Sequence, residues 1–138
     1  MATLEQHRQS IVTAVEVAKA AFSAYPLLIE YDNRMIIDHA TQVNPYLCVN
    51  IRFLDGSQAD LSTSPIHRKI GQIHLQAVVK EGDGTAKAYQ LLDHFAPRLH
   101  RTTLGGVYTK MASYVREMPH LGWVYYPAII PFWTNDIT

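Results

Sequence analysis

Residues 69–99, KIGQIHLQAVVKEGDGTAKAYQLLDHFAPRL, change their hydrophobic period midway, and that change constrains the fold more than any other feature of the chain. Ile73, Leu75, Ala77 and Val79 alternate with Gln72, His74 and Gln76, the pattern of a half-buried strand with one solvent-compatible face. Beyond Gly82 and Gly84, Tyr89, Leu92, Phe95, Ala96 and Leu99 recur along one side of a helix, opposite Lys87, Gln90, Asp93 and His94. A strand and a helix that each bury one side, joined by a short turn, predict a sheet covered by helices.

The remaining elements fit that frame. An apolar stripe at Leu4, Ile11, Val15, Ala18 and Phe22 predicts a helix over 3–24, with Thr3 and Gln6 placed as a capping box. PLLIEYDN (26–33) reads as a short strand ending in an Asp-Asn turn, and YLCVNIRF (46–53) alternates Leu47, Val49, Ile51 and Phe53 with polar or small residues. LDGSQADLSTSPIHR (54–68) has the composition of a long mobile loop. Gly105-Gly106 leads into a β-branched and aromatic segment (107–118) that favours a strand. The tail LGWVYYPAIIPFWT reads as an edge or bulged strand, because Pro127 and Pro131 cannot donate to a ladder. The expected fold class is α+β: one domain over 1–138, a single mixed or antiparallel sheet of about four to five strands, packed by the N-terminal helix and a second helix at about 85–99.

The glycine turn at 82–84 invites comparison with a phosphate loop, but its chemistry is wrong. Lys87 lies three residues after Gly84, Thr85 precedes it instead of following it, and Glu81 and Asp83 put negative charge where a phosphate would sit. A strand-to-helix turn, capped by Asp83 or Thr85, is the expectation. Seven histidines include no His-x-x-x-His pair, so no metal site and no cofactor is expected. The single cysteine, Cys48, forms no disulfide framework and stands in no nucleophile signature. Twelve basic residues balance twelve acidic ones, which gives no global field for nucleic acid or an anionic membrane. No basic-then-apolar leader and no bilayer-length apolar run occurs, so the sequence reads as soluble and unexported.

Two regions rise above this background. Trp123, Tyr125, Tyr126, Phe132 and Trp133 crowd eleven positions with few charges between them. Trp123, Tyr125, Tyr126 and Trp133 are the candidate subunit interface, since Trp and Tyr are enriched in such contacts. Asp55, Asp60, His67 and Arg68, on the polar 54–68 segment, are the candidate contact loop for a partner. A competing arrangement, a small ligand-binding or enzymatic domain, would gather Cys48, His74 and His94 between sheet and helix.

Taken in order, these features resemble the tail terminator proteins of long-tailed bacteriophages, the small family of the lambda tail terminator. The resemblance is carried by the amphipathic N-terminal helix, the strand ending at Asn33 in YDN, and Pro45-Tyr46 opening an alternating strand. It continues through RKIGQIHLQAVV as a Gly-led strand, GDGTAKAYQLLDHF, and Gly122-Trp123 ahead of an apolar strand ending in PFW. Gly71, Gly82, Gly84, Ala88, Leu92 and Phe95 reproduce the core of that pattern, over about residues 4–133. After Asn33 the sequence departs from it, with Arg34-Met35-Ile36 where relatives often carry an aromatic residue and a Pro.

The resemblance implies a non-enzymatic structural protein without a cofactor. It implies a ring, a hexamer in that family, that caps the tail tube, stops its polymerisation and forms the joint to the head-tail connector. The implied partners are further copies of the chain, the tail tube protein and the connector protein. The implied location is the virion tail, with assembly in the host cytoplasm. Another head-tail completion protein or a tail-tube protein shares the same vocabulary.

Overall fold

The computed structural model describes residues 3–32, 36–58 and 66–137, and gives the backbone alone for 55–58, 66–68 and 135–137. Two helices, α1 (Leu4–Ala20) and α2 (Ala86–Leu99), lie against one curled mixed sheet of eight strands that approaches a half-barrel. The strands are β1 (Ile29–Tyr31), β2 (Tyr46–Gln58), β3 (Ile66–Lys80), β4 (Thr103–Leu104), β5 (Val107–Thr109), β6 (Ser113–Tyr114), β7 (Met118–His120) and β8 (Trp123–Ile137). Their order is β1-β2-β3-β8-β5-β4, and β6 and β7 also pair with β8. Among the described strands only β1 and β2 run parallel.

This overturns the expected sheet of four to five strands packed by helices: sheet dominates the structure, and its strands are more numerous and in part far longer. Two physical reasons account for the difference. The polar 54–68 segment is not one loop, because β2 continues to Gln58 and β3 begins at Ile66, with Gly56, Ser57 and Gln58 paired to Lys69, Arg68 and His67. The tail strand is also no edge: β8 pairs with β3 along its whole length, from Lys80↔Trp123 to Ile66↔Ile137.

The prolines do act, but on the other side of β8. Pro127 and Pro131 turn their carbonyls outward, accepting from Val115 N at 3.0 Å and Lys110 N at 2.8 Å. In an antiparallel strand a residue's N–H and C=O share a side, so the missing donors also face outward. No continuous strand can form there, and the single strand expected over 107–118 is broken into β5, β6 and β7.

One sheet face and both helices form the main core, with Ile11, Val15, Leu75, Leu92, Phe95 and Ile130 among the side chains closed off from solvent. The capping box at Thr3 is present in both directions, with Gln6 N donating to Thr3 Oγ1 at 3.1 Å and Thr3 N donating to Gln6 Oε1 at 2.8 Å. His94 joins the helices: its Nε2–H donates to the Ala18 carbonyl at 2.7 Å, a second donor beside the Ala21 N–H that the same oxygen accepts at 3.2 Å at the end of α1. Thr85 makes no side-chain cap to α2, contrary to expectation; Asp83 reaches Lys87 at 3.9 Å instead.

Curvature has a local cause. Gly71, inside β3 and not at its head, faces Phe53 where the β2 register slips before Gly56. A Cβ on Gly71 would fall 2.3 Å from the Arg52 carbonyl oxygen and 2.4 Å from the Phe132 ring. The bare backbone there lets Phe132 lie across the bend, edge-on to Phe53 with centroids 5.5 Å apart.

A candidate assembly interface

The four aromatic residues expected to make subunit contact do not share one surface. Tyr126 faces the helices, buried in the main core with its ring 5.8 Å from that of Tyr89. Trp123, Tyr125 and Trp133 lie on the opposite sheet face, but Trp123 and Trp133 are ten strand residues apart, roughly 33 Å along β8.

Trp123 belongs to a second small core with Tyr46, Cys48 and Val78. Residues 36–45 cross over it. Their anchor is Glu30, whose carboxylate accepts from Ile36 N at 2.8 Å and Ile37 N at 2.9 Å. Ile37 packs on the cluster, and the His39 ring lies 5.4 Å from Trp123 and 5.8 Å from Tyr46. His39 Nε2 pairs with the Tyr46 hydroxyl, which stands 3.4 Å from that of Tyr125, and Lys80 Nζ sits over Trp123 at 5.7 Å. Trp123 is thus used within the chain.

Cys48, His74 and His94 do not converge either. Cys48 and His74 point away from the helices, whereas His94 sits between α1 and α2, so the sheet separates them. Burial pushes the Cys48 thiol up to about 12, with the nearby Glu30 carboxylate adding to the effect. Such a thiol is inert as a nucleophile at neutral pH. Among the described residues no group of three His, Cys, Asp or Glu side chains could hold a metal ion. No described helix is long and apolar enough to cross a membrane.

Of the candidate contact loop, Asp60 lies outside the described residues. Asp55 is placed on β2 and His67 and Arg68 on β3 by backbone alone, and their side chains lie outside the description. The three-stranded ladder carries these positions beyond Gly71.

The surface that stands out is one the aromatic count missed: the outer edge of β8, covered by residues 110–122. Met111, Tyr114, Val115, Met118 and Leu121 are all large, apolar and exposed within eleven positions, Leu121 to 82%. Leu121 and Gly122 form a two-residue connection from β7 to β8 with φ of 49° and 83°, the left-handed pair of a type I′ hairpin. Asn or Asp is the ordinary occupant of the first position, and a leucine there accepts both strain and exposure. Arg101, also left-handed at φ 53°, donates its N–H to the Lys110 carbonyl and places a cation beside the segment. Next to it Tyr108 stacks on Trp133 at 5.2 Å, with Lys110 Nζ 5.7 Å from the same ring. Of the expected interface residues, Trp123 and Tyr125 pair across this edge with His120 and Met118, and Trp133 lies beside it against Tyr108. The available signal was Pro127 and Pro131, four residues apart on one side of a strand, which predict a broken neighbour and side chains left uncovered.

No protein-family model and no curated protein matches the sequence. Eighteen chains of solved structures do match in three dimensions. One, whose name carries no functional term, aligns with TM-score 0.63 and 17% identity over 95% of this chain and 96% of its own. The shared property is the fold.

Proposed function

We propose that the protein is a structural assembly subunit of the tail-terminator kind, one copy of a ring that caps a phage tail tube and joins it to the connector. The observation that carries the reading is the 110–122 edge, where five large apolar side chains stand in solvent on a strained, donor-poor sheet margin. Exposed apolar surface in this concentration marks protein contact. The ordered resemblance of residues 4–133 supplies the class of partner. Placement of Cys48 and His74 on one side of the sheet and His94 on the other argues against the enzymatic alternative, as does the raised Cys48 thiol.

Electron microscopy of the protein mixed with purified tail tubes tests this. The expected image is one ring-shaped cap at one end of each tube. Decoration along the whole tube, or long polymers of the protein alone, would favour a tail-tube protein instead.

A further inference from the structure

The sheet has two margins without a neighbouring strand among the described residues, β1 on one side and β4, β6 and β7 on the other. They stand at the same level. Tyr31 is opposite Val49, Val49 opposite Leu75, Leu75 opposite Ala128, and Ala128 opposite Tyr114. Four strand spacings separate Tyr31 from Tyr114, about 19 Å across the sheet. Directly opposed residues share a face, so Tyr114 lies on the helix side, the side on which Tyr31 packs against the core.

The two margins differ in shape. Beside β1 is a cavity of about 360 Å³ between α1 and the sheet, lined by Val12, Ile29, Tyr31 and Ile36, with Arg8 and Asp32 at its polar side. Across the sheet, Tyr114 is 57% exposed, between the exposed Met111 and Val115. One margin offers an apolar recess and the other an aromatic knob.

They also differ in charge. Near the recess the described side chains include four carboxylates, Glu5, Glu16, Glu30 and Asp32, against two guanidinium groups, Arg8 and Arg52. The segment that carries the knob holds Lys110 and Arg116 against one carboxylate, Glu117, and Arg101 joins it through its backbone bond to the Lys110 carbonyl. Among the described side chains the first margin is net negative and the second net positive. Two like margins would repel, and unlike ones attract.

We infer that the 113–115 edge of one copy docks against the β1 edge of the next, with Tyr114 in the Val12–Ile29–Tyr31–Ile36 recess. The contact is heterologous, because it joins different surfaces of identical chains, and repetition closes a ring or extends a polymer according to the rotation between copies. This inference rests on the self-assembly reading above and assigns its surfaces.

Covalent capture tests it. Gln9 lines the recess and Val115 flanks the knob; both are exposed, so Gln9→Cys and Val115→Cys leave the fold intact, and Cys48→Ser removes the only native thiol. The two proteins are treated separately and as a mixture with a short bis-maleimide, and the products weighed by mass spectrometry. A dimer that forms in the mixture and is absent from either protein alone is the expected result. Adding Tyr114→Ala to the Val115→Cys protein should lower its yield about tenfold, the effect of losing one aromatic anchor. A Val115→Cys dimer formed without the partner would overturn the inference in favour of a symmetric contact, and absence of the mixed product would overturn it outright. Ring caps on tail tubes without the mixed product would refute this pairing and leave the terminator reading intact; the mixed product with no cap on tubes would do the reverse.

Discussion

Gly71 shows how much one absent side chain sets. Its missing Cβ leaves room for the Phe132 ring and the Arg52 carbonyl at the bend of the sheet, and neither backbone nor ring can yield to a methyl group. Gly71→Ala should cost about 2 to 3 kcal/mol, by analogy with overpacked cores, and a lowered urea midpoint with unchanged slope would register it. His74 supplies a pH effect. Burial first, and the Arg52 charge second, lower its pKa from the ordinary 6.5. The fold favours the neutral ring, so this contribution is whole above pH 6.5 and is lost as pH falls through the lower folded value. Wild type should therefore lose stability relative to His74→Gln on acidification below pH 6.5, and parallel thermal melts at several pH values would check it. Cys48, with its thiol raised to about 12 and only 9% exposed, should react with thiol reagents only after unfolding.

At the scale of elements, the sequence was most legible where one period runs uninterrupted. The Leu4–Ala20 and Ala86–Leu99 helices and the alternating parts of β2 and β3 follow from spacing, and the Thr3–Gln6 box follows from local chemistry. The 54–68 segment misled because its Gly and Ser content describes a turn, whereas long-range pairing of β3 with β2 and β8 carries β2 as far as Gln58 and starts β3 at Ile66. The four aromatics misled for a different reason: Tyr125 and Tyr126 are adjacent, and a strand must point adjacent residues to opposite faces. Composition located the aromatic strand but could not say which face another segment covers, and residues 36–45 cover Trp123. The 110–122 edge illustrates a trade between local stability and exposed apolar surface. Leu121→Asn should raise stability by about 1 kcal/mol, since Asn-Gly suits a type I′ turn, and should weaken assembly if Leu121 contributes contact area. Calorimetry read beside the cross-linking yield separates the two effects.

At the scale of the whole molecule, a curled sheet with one face under two helices leaves its two margins as places where copies can meet. Their unlike shape and unlike charge suit head-to-tail repetition, and weak single contacts gain strength when many copies share one template. A subunit of this kind would act by geometry alone, closing a ring on the tube tip. The length distribution of tails assembled without the gene for this protein, measured by electron microscopy, bears on that claim most directly. The account predicts tails of uncontrolled length that fail to join heads; tails of normal length, competent to join, would contradict it.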